Sequence, residues 1–440
     1  MTDHSTEPKG LAVPRGRLAR AGRIGGLASG LVGRAALGGM AELVQGRKPR
    51  LSDLMLTPAN VTRVADQLAQ MRGAAMKMGQ LLSMEAGDVL PPELSHILAR
   101  LRADADFMPP RQLKQVLVEA YGADFLKQFQ HFDVRPIAAA SIGQVHRARD
   151  RNGRELAIKV QYPGVRESID SDVSNVATLI RLSGMLPRHM DMAPLMAEAR
   201  RQLHEEADYG REAHYLTRFG TVLADDGRFA VPAVVSDMTT PQVLAMTYLP
   251  GDPIESVADA PQDVRDRVVA ALVDLTLAEL FQFRMMQTDP NFANYRYDAE
   301  TGRIILLDFG ATREFGSSLS ESYRTLLRVG LSKDTPAIQR QMEVIGFIRP
   351  GLRPEHLAMI LEMAELGFTP LRDPAGFDFK GNDLADRLRR RGMAIGNEQE
   401  LWHIPPADTL FLQRKLAGLY LLATRIGGRV DLRRMVGRYL

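Results

Sequence analysis

The sequence predicts an α+β chain in two lobes, with a small mixed sheet in an N-terminal lobe, a helical C-terminal lobe and a helical extension ahead of both. Three observations lead there. Residues 136–160 read as short strands broken by turn signals, Asn152-Gly153 among them. Long apolar stripes at three- and four-residue spacing precede and follow that region. Between the helical stretches, Asp289 and Asn294 stand five apart, and the apolar run Ile304 to Leu307 delivers Asp308-Phe309-Gly310. The expected segments are 1–50, basic and glycine-rich; 51–130, the helical extension; 131–250, the smaller lobe with inserted helices; and 251–440, the helical lobe.

Composition narrows the function. The 440 residues are 45% hydrophobic and 25% charged, ordinary for a soluble protein with real cores. There is no cysteine, which excludes a disulfide framework and any thiolate metal site. No apolar run reaches transmembrane length and no signal peptide opens the chain, so a cytoplasmic setting is expected. Residues 1–50 hold nine Lys/Arg against Asp3, Glu7 and Glu42, a net of +6 beside +3 for the whole chain. The basic character therefore belongs to the N-terminus. A nucleic-acid role is not expected, because that charge sits in one glycine-rich end without a binding motif.

Taken in order, residues 11–44 mix arginines with apolar residues, and Gly22, Gly26 and Gly30 recur every four positions. Such a basic amphipathic segment suits a surface of anionic membrane lipids. From Thr57 a helix is expected, with Val61, Val64, Leu68, Met71, Ala75, Met78 and Leu82 as its buried stripe. Lys77 and Gln80 lie one turn apart, off that stripe, in a K-x-G-Q. Gly79 inside a helix costs about 1 kcal/mol relative to alanine, which points to a close backbone approach there.

Next come the strand–turn–strand from Pro136 to Ala148 and a further strand, Leu156 to Val160, carrying Lys159. The first turn holds Ala138, Ala139, Ala140 and Ser141, where alanine lacks the φ > 0 freedom of glycine and stiffens the loop. Two helices follow, from Val165 to Met185 and from Pro194 to Phe219. On the second, Asp208 and Glu212 share a face and Glu206 points nearly opposite. Strands are expected over Val231–Val235 and Gln242–Tyr248, then a hinge at Leu249-Pro250-Gly251 with Met246 at the back of a nucleotide pocket. A helix from Val264 to Phe283 leads to the Asp289 loop. After Gly310, residues Ala311 to Phe315 run into a helix from Ser317, and helices fill the remainder.

The spacing is that of phosphoryl transfer. D-x-x-x-x-N followed by D-F-G at the end of a strand matches the kinase catalytic and metal loops, and a hairpin before V-A-I-K matches the phosphate-covering region. Asp289 is then the catalytic aspartate; Asn294 and Asp308 are ligands for Mg²⁺; Lys159 holds ATP phosphates, with Glu212 its partner. The plain alternatives are a turn aspartate after an ordinary strand and a solvated charged helix face. Asn291 occupies the position where protein kinases place a phosphate-contacting lysine, and no A-P-E follows the D-F-G.

Together these residues resemble the UbiB family of atypical kinase-like proteins, from about Val13 to the C-terminus. The resemblance is carried by Lys77 to Gln80, the alanine loop, Ala157-Ile158-Lys159, the E-x-D of Glu206 and Asp208, Gln287 to Asn291, Leu307 to Arg313 and Gln413-Arg414-Lys415. Many members have H-x-D-P-H-P-G-N where this chain has Gln287-Thr288-Asp289-Pro290-Asn291-Phe292-Ala293-Asn294. The departure matches the coenzyme Q branch. The resemblance implies a protein-kinase-like fold whose K-x-G-Q extension, through Lys77, Gln80, Glu206 and Asp208, gates the site. It implies ATPase activity with ATP and Mg²⁺ in support of ubiquinone biosynthesis, peripherally at the inner membrane. Implied partners are anionic lipids and quinone-biosynthesis enzymes or lipid precursors; a homodimer stays open. A protein kinase and a nucleotide-gated scaffold without turnover are the rival readings.

Overall fold

The computed structural model describes residues 71, 73–75, 77–79, 107–182, 192–396 and 406–440. The basic segment 1–50, Gln80 and most of the helix expected from Thr57 lie outside the described residues. The chain gathers into two compact units. Of the described residues, the first includes those up to 213 and the return segment 234–248; the second holds the rest.

In the first unit, α1 (Pro110–Tyr121) starts where Pro110 can occupy the first turn without losing a needed N–H, and it stops at Gly122, whose φ is 90°. Its Leu113, Val116 and Leu117 pack on a sheet made by β1 (Phe129–Phe132), β2 (Ala138–Ala139), β3 (Gly143–Asp150), β4 (Glu155–Gln161) and, later in the chain, β6. The order is β1-β3-β4-β6 with β2 on β3. Expected as mixed, this sheet is antiparallel at every pair. The β3–β4 turn is fixed by Asp150, whose Oδ1 accepts from the Asn152 and Arg154 amides at 2.9 and 2.8 Å, with Gly153 at φ 81°.

Helix α2 (Val165–Leu182) buries Ile169, Val173, Val176, Ala177 and Ile180, a single stripe at helical spacing. The single helix expected over 194–219 is two, α3 (Ala193–Glu206) and α4 (Tyr209–Val222). The cause is Asp208. Its carboxylate accepts from the Arg211 amide at 3.0 Å, an N-cap that starts a new helix instead of continuing the old one. Asp208 and Glu212 therefore do not share a helix face.

The chain then forms β5 (Phe229–Ala230) in the second unit and β6 (Val243–Thr247) in the first. No strand spans 231–235; Pro232 has no N–H to give a ladder, and only Val234 makes a bridge, to Met246.

In the second unit, β7 (Asp252–Pro253) precedes α5 (Gln262–Ala278), which ends in a π turn, Glu279–Phe283. Next come β8 (Met285–Gln287), β9 (Tyr295–Asp298), β10 (Arg303–Leu306) and β11 (Thr312–Glu314). The sheet order β5-β10-β9-β7 contains a parallel β5–β10 pair, and β8 pairs separately with β11. Helices α6 (Ser317–Ser332), α7 (Thr335–Ile345) and α8 (Pro354–Arg372) follow. The last elements are β12 (Phe377–Asp378), α9 (Leu384–Gly396), α10 (Ala407–Ile426), β13 (Arg429–Val430) and α11 (Leu432–Gly437). The small β12–β13 pair interrupts what was expected to be helix alone. Phe281, Met286, Phe315, Ile338 and Leu412 form the centre of this unit's core. No helix among the described residues is long and apolar enough to cross a membrane.

Candidate functional site

The first unit holds a buried cation. Lys159 lies mid-sheet, opposite Val145 on β3 and Leu244 on β6. Its Nζ donates to both carboxylate oxygens of Glu212, at 2.7 and 2.9 Å, and stands 5.4 Å from the centre of the Tyr209 ring. Only 8% and 3% of the two side chains are exposed. The Asp208 cap makes this possible, because starting α4 one residue later places Glu212 in its first turn, toward the sheet. The helix break is sealed by Gln161, whose side chain donates to the Ala207 carbonyl at 2.7 Å.

The alanine loop is a closed hairpin. Ala138 pairs with Val145 and Ala139 with Gln144, and the Ala140 amide donates to the Gly143 carbonyl at 2.8 Å. That amide is already committed inside the turn. Gly143 is required by a close approach, since a Cβ there would lie 2.4 Å from the Val160 carbonyl oxygen. Beneath the hairpin, Gln144 accepts from the Met108 amide at 2.7 Å and contacts His146 Nε2 at 2.8 Å. His146 Nδ1 meets the Asp133 carbonyl at 2.8 Å, and burial lowers the pKa of its imidazole below the usual range.

Glu206 joins three segments. One carboxylate oxygen pairs with Lys77, and the other accepts from the Ser141 hydroxyl at 2.7 Å. Lys77 is buried beside Met78, so its ammonium is turned into protein. Gly73 also packs closely, since a Cβ there would stand 3.1 Å from the Ile142 side chain and 3.2 Å from the Ser141 carbonyl oxygen. Met246, 9% exposed, faces Ala157 across the β4–β6 pair. The chain leaves the first unit after Tyr248, and Leu249 opens the segment that follows. Gly251 then packs so closely that a Cβ would sit 2.7 Å from Ile305.

The second unit holds the acids. The π turn ends at Arg284, which adopts φ 50°, and releases β8 toward the Asp289 loop. Asn294 donates to the Asp289 carbonyl and to its Oδ2 at 3.4 and 3.3 Å. The Leu307 amide donates to the Asn294 carbonyl at 2.8 Å, so the Asp308 loop starts from the Asp289 loop's own backbone. Asp308 sits at φ 57°, a left-handed conformation that an L-residue adopts at a cost, and its Oδ1 accepts from the Gly310 amide at 3.2 Å. Gln287 reaches across to the Asp308 segment. Its amide donates to the Asp308 carbonyl at 3.2 Å, while the Thr288 hydroxyl donates to the Ala311 carbonyl at 2.7 Å.

Two participants appear that motif reading left without a role. Arg414 on α10 contacts Asp289 Oδ1 at 2.7 Å. Lys415 is buried between Glu279, at 3.4 Å, and the Tyr295 hydroxyl, at 2.9 Å. Burial alone would lower the Lys415 pKa, but these two partners outweigh it and raise it. The only signal in the sequence was the Gln413-Arg414-Lys415 triplet, far from the loop it serves.

The donors suit Mg²⁺. Asn294 and Asp308 offer hard oxygen, and among the described residues no group of three or more His, Asp or Glu gathers into an all-protein cage. Two hard oxygen donors fit an ion that takes its remaining ligands from phosphate oxygens and water.

Comparison with known proteins shows the family. The ABC1 atypical kinase-like domain model matches residues 100–342, more than half of the chain. The chain is 37% identical over 428 residues to "Atypical kinase COQ8, mitochondrial" of Saccharomyces cerevisiae, covering 96% of this chain and 84% of that protein. It is 36% identical to "Atypical kinase COQ8B, mitochondrial" of Rattus norvegicus, over 98% of this chain and 81% of that one. A Mycobacterium tuberculosis protein solved with erythromycin superposes with a TM-score of 0.60 at 24% identity, covering 85% of this chain and 93% of that one, which shows a shared fold. The chain thus has the two-lobe, protein-kinase-like α+β fold, and it belongs to the ABC1 atypical kinase-like family that includes the COQ8 kinases.

Proposed function

We propose that the protein is an Mg²⁺-dependent, ATP-using atypical kinase or ATPase that supports coenzyme Q biosynthesis at a membrane, acting on or with a lipid-like precursor. The observation that carries this reading is the Lys159–Glu212 pair. A buried ion pair contributes little net stability compared with apolar packing, so its presence in a chain that also carries D-x-x-x-x-N and D-F-G argues for use. Lys159 would hold ATP phosphates, and Asn294 and Asp308 would hold Mg²⁺, which neutralises phosphate charge when bound. Asp289 would orient the attacking hydroxyl or water. The relatives' COQ8 names support the coenzyme Q role, and they are named mitochondrial. The net charge of residues 1–50 supports peripheral attachment to anionic lipids at the inner membrane.

Protein phosphorylation is less well supported. Only Phe315 and Gly316 separate β11 from α6, which leaves no peptide-docking segment. Asn291 also lacks the charge of the usual lysine.

ATP turnover by the purified full chain, with and without vesicles of anionic phospholipid, tests the reading against Asp289→Asn. The expected result is Mg²⁺-dependent turnover that rises with vesicles, is lost in Asp289→Asn, and loses its vesicle response when residues 1–50 are deleted. Nucleotide binding with turnover no greater than that of Asp289→Asn would make the protein a nucleotide-gated scaffold.

A further inference from the structure

We propose that Arg414 supplies this catalytic loop with the cation that Asn291 does not, holding Asp289 so that a terminal phosphate can approach it. Asn291 is uncharged and is committed to the loop: its Oδ1 accepts from the Ala293 amide at 3.2 Å, capping a 3-10 turn. The positive charge comes instead from α10. Arg414 Nη2 lies 2.7 Å from Asp289 Oδ1, with 12% and 23% of the two side chains exposed. Asn294 engages the other carboxylate oxygen at 3.3 Å, so Asp289 is gripped from both sides.

The helix that presents Arg414 is fixed to the same loop at two more points. Lys415 reaches Tyr295 just after the loop, at 2.9 Å. Gly418 lies so close to Pro290 that a Cβ would fall 2.0 Å from the proline Cβ. A guanidinium on an element braced in this way keeps its position without relying on the loop's own stiffness. Charge explains the need. A carboxylate facing a phosphate repels it, and a paired cation in a partly desolvated setting offsets that repulsion more strongly than it would in water. Arg414 is thus a positioning residue, acting through Asp289. A purely structural brace would hold the loop equally for any nucleotide, whereas this role matters most for the one carrying a third phosphate.

The inference rests on the proposed use of ATP, and the test separates the two. Affinities for Mg²⁺–ATP and Mg²⁺–ADP are measured by displacement of a fluorescent nucleotide, with kcat and KM for turnover, in the full-length wild type, Arg414→Lys, Arg414→Gln, Arg414→Gln with Asn291→Lys, and Arg414→Gln with Asp289→Asn. Arg414→Gln is expected to weaken ATP about tenfold and ADP less than about twofold, with Arg414→Lys in between for ATP. Asn291→Lys should restore most of the lost ATP affinity, and removing the Asp289 charge should abolish the ATP-specific loss. Equal losses for ATP and ADP alongside a lowered melting temperature would make Arg414 a structural brace and overturn the proposal, as would unchanged affinities. If Arg414→Gln does not fold, Arg414→Lys decides: an ATP affinity unchanged relative to ADP overturns the proposal. A wild type that binds no Mg²⁺–ATP would sink the proposed function itself.

Discussion

Breaking the contact between Lys77 and Glu206 has a cost that can be worked out from its surroundings. The two side chains are 6% and 16% exposed, so the pair is largely desolvated. Glu206→Ala strands an ammonium that stays buried, and removing one partner of a buried pair costs about 3–5 kcal/mol. The low end applies, because Glu206 retains some solvent contact, so about 3 kcal/mol is expected. Lys77→Met keeps the volume of the stem and leaves a carboxylate that still accepts from Ser141, so about 1 kcal/mol is expected. With both changes no uncompensated charge remains, and the double variant should be no worse than Glu206→Ala alone. The coupling energy is then at least about 1 kcal/mol. Thermal unfolding of the full chain is the assay; Glu206→Ala should melt about 6–12 °C lower, taking roughly 2–4 °C per kcal/mol for a unit of this size. Simple addition of the two single effects would refute the reasoning.

Three further outcomes follow from particular contacts. Gly418→Ala should destabilise by about 1–3 kcal/mol through overpacking on Pro290, and turnover should fall with it because the displaced loop carries Asp289; melting and ATPase assays on one preparation check both. His146 is held neutral when folded, with its pKa below that of the unfolded chain, so its contribution is complete above about pH 6.5 and lost as pH falls toward the folded value. Urea midpoints from pH 7.5 to 5 should therefore fall less steeply in His146→Gln than in the wild type. Ala139→Gly should loosen the closed hairpin and tighten ADP binding, measured by nucleotide displacement; unchanged ATP and ADP affinities would make the alanines packing residues.

What could be read from the chain was local. The hairpin, the lysine strand, D-x-x-x-x-N and D-F-G each declare themselves within a few residues, through period-two alternation or fixed spacing. Glu212 as the partner of Lys159 was also legible, because kinase order left few candidates. The helix break was hidden: 194–219 has unbroken helical texture, and an aspartate that caps looks like any exposed aspartate until its carboxylate is seen on the Arg211 amide. The expected strand over 231–235 rests on apolar content, whereas the ladder is decided by the N–H that Pro232 lacks. Arg414 was out of reach for a different reason. It lies 125 residues from Asp289, and nothing in its neighbourhood names the partner it finds.

The stitching between the two acidic loops has a consequence for inhibition. Asp308 is followed within a few residues by β11, which is zipped to β8, and then by α6. An aspartate tethered this tightly at both ends cannot swing outward without unpairing a strand and dragging a core helix. Compounds that work by trapping a displaced D-F-G segment should therefore find no vacated groove to fill. Selective ligands for this protein would have to compete for the assembled geometry, in which Asp308 would give up little freedom on meeting a metal.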